Sequence, residues 1–265
     1  MRVTALYRYP VKSLGGEALP HLAAEGRGFA DDRRWMLVDP QGRFISQRTH
    51  HHLATYTASL AEDNVLLIKD ASGQTFAIRD ARTTEKTSTT VTVWDDEVTA
   101  GVVPASGLGS FLGIPDTRLV YMGADSLRPV DARFARDGEM VSFADGFPYL
   151  ITTDSSLREL ERRVGYPLSM LRFRPNIVID GSAPFAEDDW TRLRIGATTM
   201  RLPKPCARCI MVTLEPGTGA KDLSVLSTLA AFRRVGNKTM FGMNAVTETA
   251  GSVIRVGDAV ENLAN

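Results

Sequence analysis

The sequence predicts a β-rich α+β protein, and three observations point to it. The first 120 residues or so carry several short runs rich in β-branched and aromatic residues, separated by turn signals, as in a barrel or sandwich. The later residues interleave such runs with two stretches of helical periodicity. The apolar fraction, 43% of 265 residues, suits a globular chain long enough for one large domain or two modest ones. A seam is expected around residues 116–126, dividing 1–120 from 121–265.

The elements follow in order. Residues 3–9 read as a strand. Residues 34–38 and 43–46 read as hairpin arms around Asp39-Pro40-Gln41-Gly42, where proline presets φ and glycine accepts positive φ. Residues 64–69 and 74–78 flank the turn Asp70-Ala71-Ser72-Gly73, and 90–94 and 98–103 flank the acidic turn Asp95-Asp96-Glu97. In the second part, 149–153 is a strand, after which Asp154 or Ser155 can cap a helix running to Val164. Ser156 and Glu159 have capping-box spacing, Leu157, Leu160 and Val164 share one face, and Gly165 suits the stop. Residues 176–179 read as a strand, 193–202 as a hairpin turning at 195–198, and 210–214 as a further strand. Residues 224–235 are helical, and 253–258 close with a strand and turn.

Charge and composition exclude several classes. Lys plus Arg equals Asp plus Glu, 31 each, so the basic excess usual in a nucleic-acid binder is missing. The start, Met1-Arg2-Val3-Thr4-Ala5-Leu6-Tyr7-Arg8, has charges where a signal peptide needs an apolar core. No apolar run approaches the ~18 residues of a membrane span. Two cysteines do not make a disulfide framework. These features predict a cytoplasmic protein in a reducing compartment, with neither nucleic acid nor membrane as partner.

Both cysteines fall in Pro205-Cys206-Ala207-Arg208-Cys209-Ile210. A zinc site takes four ligands, and here there is no second pair, while His21 and His50 to His52 lie far upstream. A thioredoxin-type couple belongs at a helix start, whereas Ile-Met-Val-Thr after this pair has a strand pattern. Plain burial is the bland alternative, since free cysteine is among the most buried residue types. Against it stand Arg208 between the cysteines and Lys204 and Arg201 before them. Such cations stabilise a thiolate and also receive phosphate, which suits a soft metal on an anionic carrier. The run His50-His51-His52 reads as an exposed loop, because three consecutive side chains on a strand cannot face one site.

Several blocks together resemble one family. They are Tyr9-Pro10-Val11-Lys12-Ser13, Asp32-Arg33-Arg34-Trp35, Asp145-Gly146-Phe147-Pro148, Phe173-Arg174-Pro175-Asn176-Ile177, Pro205-Cys206-Ala207-Arg208-Cys209, Phe241-Gly242-Met243-Asn244 and Val256-Gly257-Asp258. In this order they are similar to MOSC proteins with an N-terminal MOSC β-barrel, a group that includes the mitochondrial amidoxime-reducing component and bacterial reductases of N-hydroxylated bases. The resemblance implies an N-terminal MOSC β-barrel-like domain packed on a MOSC β-barrel domain with a few helices. It implies the molybdenum cofactor, a pterin dithiolene (Mo-molybdopterin), with Cys209 as the metal ligand and Cys206 as bystander or support. Cofactor contacts map onto Lys12, Ser13, Arg33, Gly146, Phe147, Arg174, Asn176, Ala207, Arg208 and Asn244. Gly146-Phe147 stands where the mitochondrial proteins have Thr-Ser, and Asn244 where they have Tyr, so those contacts would come through the backbone.

The residue chemistry agrees. Lys12, Arg33, Arg174 and Arg208 supply charge-assisted donors for a phosphate, and Asn176 can donate and accept along a pterin edge. Asp145 reads as a catalytic proton relay or supporting carboxylate, or as a turn residue before Pro148. The implied activity is reduction of small-molecule N-hydroxylated substrates such as N-hydroxylated bases and amidoximes. The alternative is a non-redox cofactor or sulfur carrier. With two cysteines there is no ligand set for an iron–sulfur cluster, so a separate iron–sulfur or flavin electron-donor protein is expected.

Overall fold

A computed structural model describes residues 1–84 and 88–263, and short antiparallel strands dominate it. The largest sheet runs, edge to edge, Val260–Asn262, Arg192–Ile195, Thr198–Arg208, Lys238–Thr247, Tyr149–Thr153, Ile177–Asp180, Arg2–Arg8 and Glu17–Ala18. Its neighbours are antiparallel except Tyr149–Thr153 beside Ile177–Asp180. A parallel pair needs a crossover. The chain supplies it after a short helix in the earlier half, α1 (Leu108–Leu112), as the longer helix α2 (Asp154–Val164). A third helix, α3 (Leu223–Arg233), packs beside α2, with Leu160, Leu229, Phe173 and Phe241 buried between helices and sheet.

The sheet does not close into a barrel. Its Arg2–Arg8 and Val260–Asn262 sides meet through the isolated pair Arg2–Ala259 and the backbone bonds Val3 N–H to Asp258 O, Gly257 N–H to Val3 O and Val260 N–H to Met1 O, rather than a continuous ladder. Two smaller sheets build the earlier half. One orders Trp35–Val38, Arg118–Tyr121, Asp96–Val103 and Ser88–Val93; the other is the meander Thr57–Leu60, Leu66–Lys69, Thr75–Ile78. Trp35, Leu37, Leu66, Ile68, Leu108 and Leu119 form their shared core. The early chain also enters the large sheet's core: Val3, Leu6, Leu22 and Phe29 pack with Tyr149, Ile151, Ile177 and Leu193.

The hairpins at 64–78 and 88–103 form as expected, although Asp96 already pairs with Val93. The turn is therefore Trp94-Asp95, with Trp94 at φ 58°, and Asp96 and Glu97 belong to the strand. The arm expected at 43–46 shrinks to the pair Val38–Phe44, because Trp35–Val38 takes Arg118–Tyr121 as its neighbour. Helix α2 is capped by Thr153, whose Oγ1 accepts from Ser156 N–H, so the cap lies one residue before the expected Asp154 or Ser155, both of which are already helical. The later helix ends at Arg233, and Arg234–Val235 already pairs with the strand Lys238–Thr247. The histidine run is a 3₁₀ turn, His51–Thr55, with His51 and His52 exposed. No helix among the described residues is long and apolar enough to cross a membrane.

The strand expected at 210–214 is instead a 3₁₀ turn, Ile210–Thr213, and the strand precedes it as Thr198–Arg208, which contains Cys206 and ends just before Cys209. Its register against Lys238–Thr247 shifts twice, between Arg201 and Lys204 and between Pro205 and Ala207. Pro203 and Pro205 cannot donate to the ladder, and bulges are where such residues are tolerated. Across from the second shift, Gly242 sits at φ 75°, and a Cβ there would lie 2.7 Å from the Ile151 carbonyl oxygen. Only glycine fits that approach.

Candidate functional site

Lys12, Ser13, Arg33, Asp145, Gly146, Phe147, Arg174, Asn176, Ala207, Arg208, Cys209 and Asn244 all line one cavity of about 340 Å³, as does Cys206. Six separate segments bring them together. Lys12 is fixed by its N–H bond to the Trp35 carbonyl, 2.8 Å, and Arg33 by its N–H bond to the Tyr9 carbonyl, 2.8 Å. Ser13, Arg33 and Arg174 sit at φ 73°, 50° and 54°. Left-handed backbone at a non-glycine residue costs about 1–3 kcal/mol and collects at functional sites.

On one wall, Arg33 Nη1 donates to Asp32 Oδ2 at 2.6 Å and to Asn176 Oδ1 at 3.0 Å, and Nη2 donates to the Arg174 carbonyl at 3.1 Å. Asp32 is fully buried and also accepts the Tyr9 N–H. Arg33 and Arg174 lie over the Tyr9 ring, 4.4 and 4.5 Å from its centroid. Burial is the largest effect and pulls the Arg33 guanidinium down, but Asp32, Tyr9 and Asp145 together outweigh it and the net shift is upward. For Arg174, burial and then the Arg33 charge bring it down to about 10. Arg174 donates to the Leu14 carbonyl at 2.7 Å. Asn176 lines the cavity, but its amide oxygen also accepts Leu150 N–H and its Nδ2 donates to the Tyr7 carbonyl. Both ends being engaged, it positions Arg33 and has one N–H left for a ligand.

At the mouth, Lys12 Nζ donates to Asp145 Oδ1 at 2.7 Å and lies 5.3 and 5.5 Å from the Phe44 and Trp94 ring centroids. Its side chain is 7% exposed, that of Asp145 74%. Burial pushes the Lys12 ammonium below its ordinary value, an effect Asp145 only partly offsets. The opposite holds for Asp145: desolvation raises its carboxyl, but Lys12, then Arg33 and Arg48, hold it well below the usual carboxylate range.

The cysteine segment closes the cavity. Arg208 Nη2 donates to the Phe173 carbonyl at 2.8 Å, and Nη1 approaches the sulfur of Cys206 at 3.0 Å. Arg208 thus serves Cys206 directly. Cys209 follows the strand at the head of the 3₁₀ turn; both thiols are free and half-buried. No hydrogen bond engages the Cys209 sulfur among the described residues. Asn244 Nδ2 donates to the Pro205 carbonyl at 3.2 Å, tying the strand Lys238–Thr247 to the proline bulge.

Several contributors were not legible in the sequence. Phe44, Trp94 and Arg48 form an outer wall, Arg48 lying 4.1 Å from the Trp94 centroid. Lys204, which the sequence did mark as a cation ahead of the cysteines, lies over Phe134 and Phe147. Arg128, outside the cavity, holds the loop that carries Asp145. Its Nη1 donates to the Ser142 carbonyl at 2.8 Å and to that of Ala144, its Nη2 to the Asp145 carbonyl at 3.1 Å, and its Nε to Asp96 Oδ2 at 2.8 Å. A buried arginine looks in sequence like any solvated one; only the Asp-Gly-Phe-Pro turn pointed to this loop.

Comparison with known proteins places these features in context. Residues 1–107 match the MOSC N-terminal beta barrel domain, and residues 138–261 the MOSC domain. The chain is 30% identical to human mitochondrial amidoxime-reducing component 1 over 288 residues, covering 97% of this chain and 82% of that protein. It is 29% identical to the Xenopus laevis counterpart, covering 97% and 81%. It is also 28% identical to human molybdenum cofactor sulfurase over 91% of this chain, but only 29% of that longer protein.

Proposed function

Because this chain belongs to the MOSC proteins that join an N-terminal MOSC β-barrel domain to a MOSC domain, we propose that it is a molybdenum-cofactor-dependent oxidoreductase that reduces N-hydroxylated compounds. The observation that carries the proposal is a single cavity with a free thiol, Cys209, at one end and four basic residues, Lys12, Arg33, Arg174 and Arg208, on its walls. Those residues fit the group: a soft sulfur ligand for the metal, and cationic donors for the phosphate of its organic part. Cys209, whose sulfur no side chain engages among the described residues, would hold the metal. When bound, the cofactor supplies the two-electron centre that takes oxygen from an N–OH group.

The chain's own residues orient and protonate. Turning N–OH into N–H and water takes two electrons and two protons. Lys12 holds the Asp145 carboxyl ionised, so Lys12 would deliver one proton while Asp145 orients its Nζ–H bonds, and solvent at the exposed mouth would supply the other. Arg33 and Arg174, braced on Tyr9, hold the anionic end of the cofactor. Within these 265 residues two cysteines are too few for an iron–sulfur cluster, so an iron–sulfur or flavin protein is proposed as the electron donor. The two free thiols suit a reducing compartment such as the cytoplasm.

The test is expression in a cofactor-competent host, with molybdenum measured and reduction of an N-hydroxylated purine followed with an artificial electron donor. Near-stoichiometric metal and turnover are expected. Metal without turnover would favour a carrier of the cofactor or its sulfur, and protein free of molybdenum would sink both readings.

A further inference from the structure

Behind the main cavity lies a second chamber of about 60 Å³, walled by Tyr9, Gln47 and Thr57 on one side and Arg172, Met211 and Leu214 on the other. Arg174 and Met211 line both spaces. The Tyr9 hydroxyl and the Arg172 Nε–H are both buried, and neither finds a hydrogen-bond partner among the described residues. The two residues are 1% and 5% exposed. A buried donor without an acceptor costs about 1–3 kcal/mol, and native proteins rarely leave one so. Here two meet in one small space.

The charge around the chamber has one sign. Its lining holds two arginines and no aspartate or glutamate among the described residues. Arg172 is partly compensated from outside, where its Nη2 pairs with Glu215. Arg174 donates to the Leu14 carbonyl and forms no ion pair with a carboxylate among the described residues. Arg33 and Arg174 both lie over the Tyr9 ring, but Arg33 is paired with the buried Asp32, so Arg174 is the cation there without a carboxylate partner among the described residues.

We propose that this chamber is a binding site for a small monovalent anion of the chloride class, held by the Tyr9 hydroxyl and the Arg172 Nε–H beside Arg174. A space of about 60 Å³ is several times the ~10–15 Å³ that one water needs, so the chamber takes a halide ion together with a water or two, whereas organic ligands need pockets of ~300 Å³ or more. Water alone would satisfy the two donors but leave the Arg174 charge uncompensated on this side. Because Arg174 also faces the main cavity, the ion would moderate the field that cavity presents to an anionic ligand. The site stands on the donors and charges of the chamber and does not depend on the redox reading.

Two measurements on the full chain test it. Thermal melts in sodium chloride and in sodium gluconate at equal ionic strength should show a saturable rise in Tm specific to chloride. Crystals grown in sodium bromide should show an anomalous peak within hydrogen-bond distance of Tyr9 Oη and Arg172 Nε. Tyr9→Phe keeps the ring under the arginines and removes one donor. It should weaken halide binding about ten-fold or more, the worth of one hydrogen bond to a charged partner. Arg172→Lys keeps the charge opposite Glu215, removes Nε–H, and should weaken it similarly. An ordered water with no bromide signal, or a chloride response unchanged in Tyr9→Phe, would overturn the proposal.

Discussion

Cys206 and Cys209 are three residues apart, yet their sulfurs meet different surroundings. Cys206 receives Arg208, which is itself anchored on the Phe173 carbonyl, while Cys209 has no such engagement. The support that sequence alone left open for Cys206 is therefore concrete: it steadies a guanidinium of the cavity wall. A different residue, Glu187, carries a testable electrostatic cost. It is fully buried; Thr153 and Ser156 hydroxyls donate to its Oε2, and its Oε1 has no partner. Burial pushes its carboxyl above the ordinary value. A raised carboxyl means that the folded state holds the proton more tightly than the unfolded one. Its penalty is therefore absent below the unfolded pKa of about 4.3 and grows as pH rises toward the folded value, at up to about 1.4 kcal/mol per pH unit. Glu187→Gln should flatten the stability profile above that point and raise stability at neutral pH. Urea melts from acid to neutral pH read this directly; parallel profiles for the two proteins would contradict it.

Among the elements, the loop that carries Ser142 to Phe147 has no ladder of its own and is held by Arg128, which reaches three of its carbonyls and Asp96 of the neighbouring hairpin. Arg128→Met should leave the sheets intact but loosen Asp145 from Lys12. Inorganic phosphate, titrated calorimetrically as a probe of the cavity, should bind at least about five-fold more weakly, as for the loss of one charge-assisted contact. Unchanged phosphate affinity would remove Arg128 from the site's support. This element also marks where sequence reading stops. The 70–73 turn and helix α2 were legible because local chemistry decides them: Asp70 Oδ1 accepts the N–H groups of Ser72 and Gln74, and Gly165 takes φ 95° at the helix end. Ile210-Met211-Val212-Thr213 has a strand's composition but folds as a 3₁₀ turn. Arg208, bonded to the Phe173 carbonyl, ends the preceding strand, and Val212 is buried against α3. The site residues were legible as types in matched blocks. Their positive φ angles, the Arg128 clamp and the Trp94 wall depend on tertiary contacts that no local pattern encodes.

At the scale of the molecule, the early and late chain are interwoven. Arg2–Arg8 pairs with Ile177–Asp180 within the large sheet, His21–Glu25 pairs with Val253–Arg255, and Leu6, Leu22 and Phe29 fill the later half's core. A fragment of residues 121–265 alone should accordingly lack cooperative thermal unfolding, and adding the 1–120 fragment should restore it; a sharp transition from the later fragment alone would contradict this. The same weaving builds the site, since Lys12, Ser13 and Arg33 come from the first part and Arg174, Arg208 and Cys209 from the second. The central claim is that this shared cavity presents Cys209 to the metal. Molybdenum-edge X-ray absorption on wild type, Cys206→Ala and Cys209→Ala, each with its reductase rate, tests it most directly. Cys209→Ala should lose one sulfur from the metal's shell and essentially all turnover, while Cys206→Ala should keep the shell and part of the rate. An unchanged metal shell in Cys209→Ala, or equal losses in both variants, would contradict it.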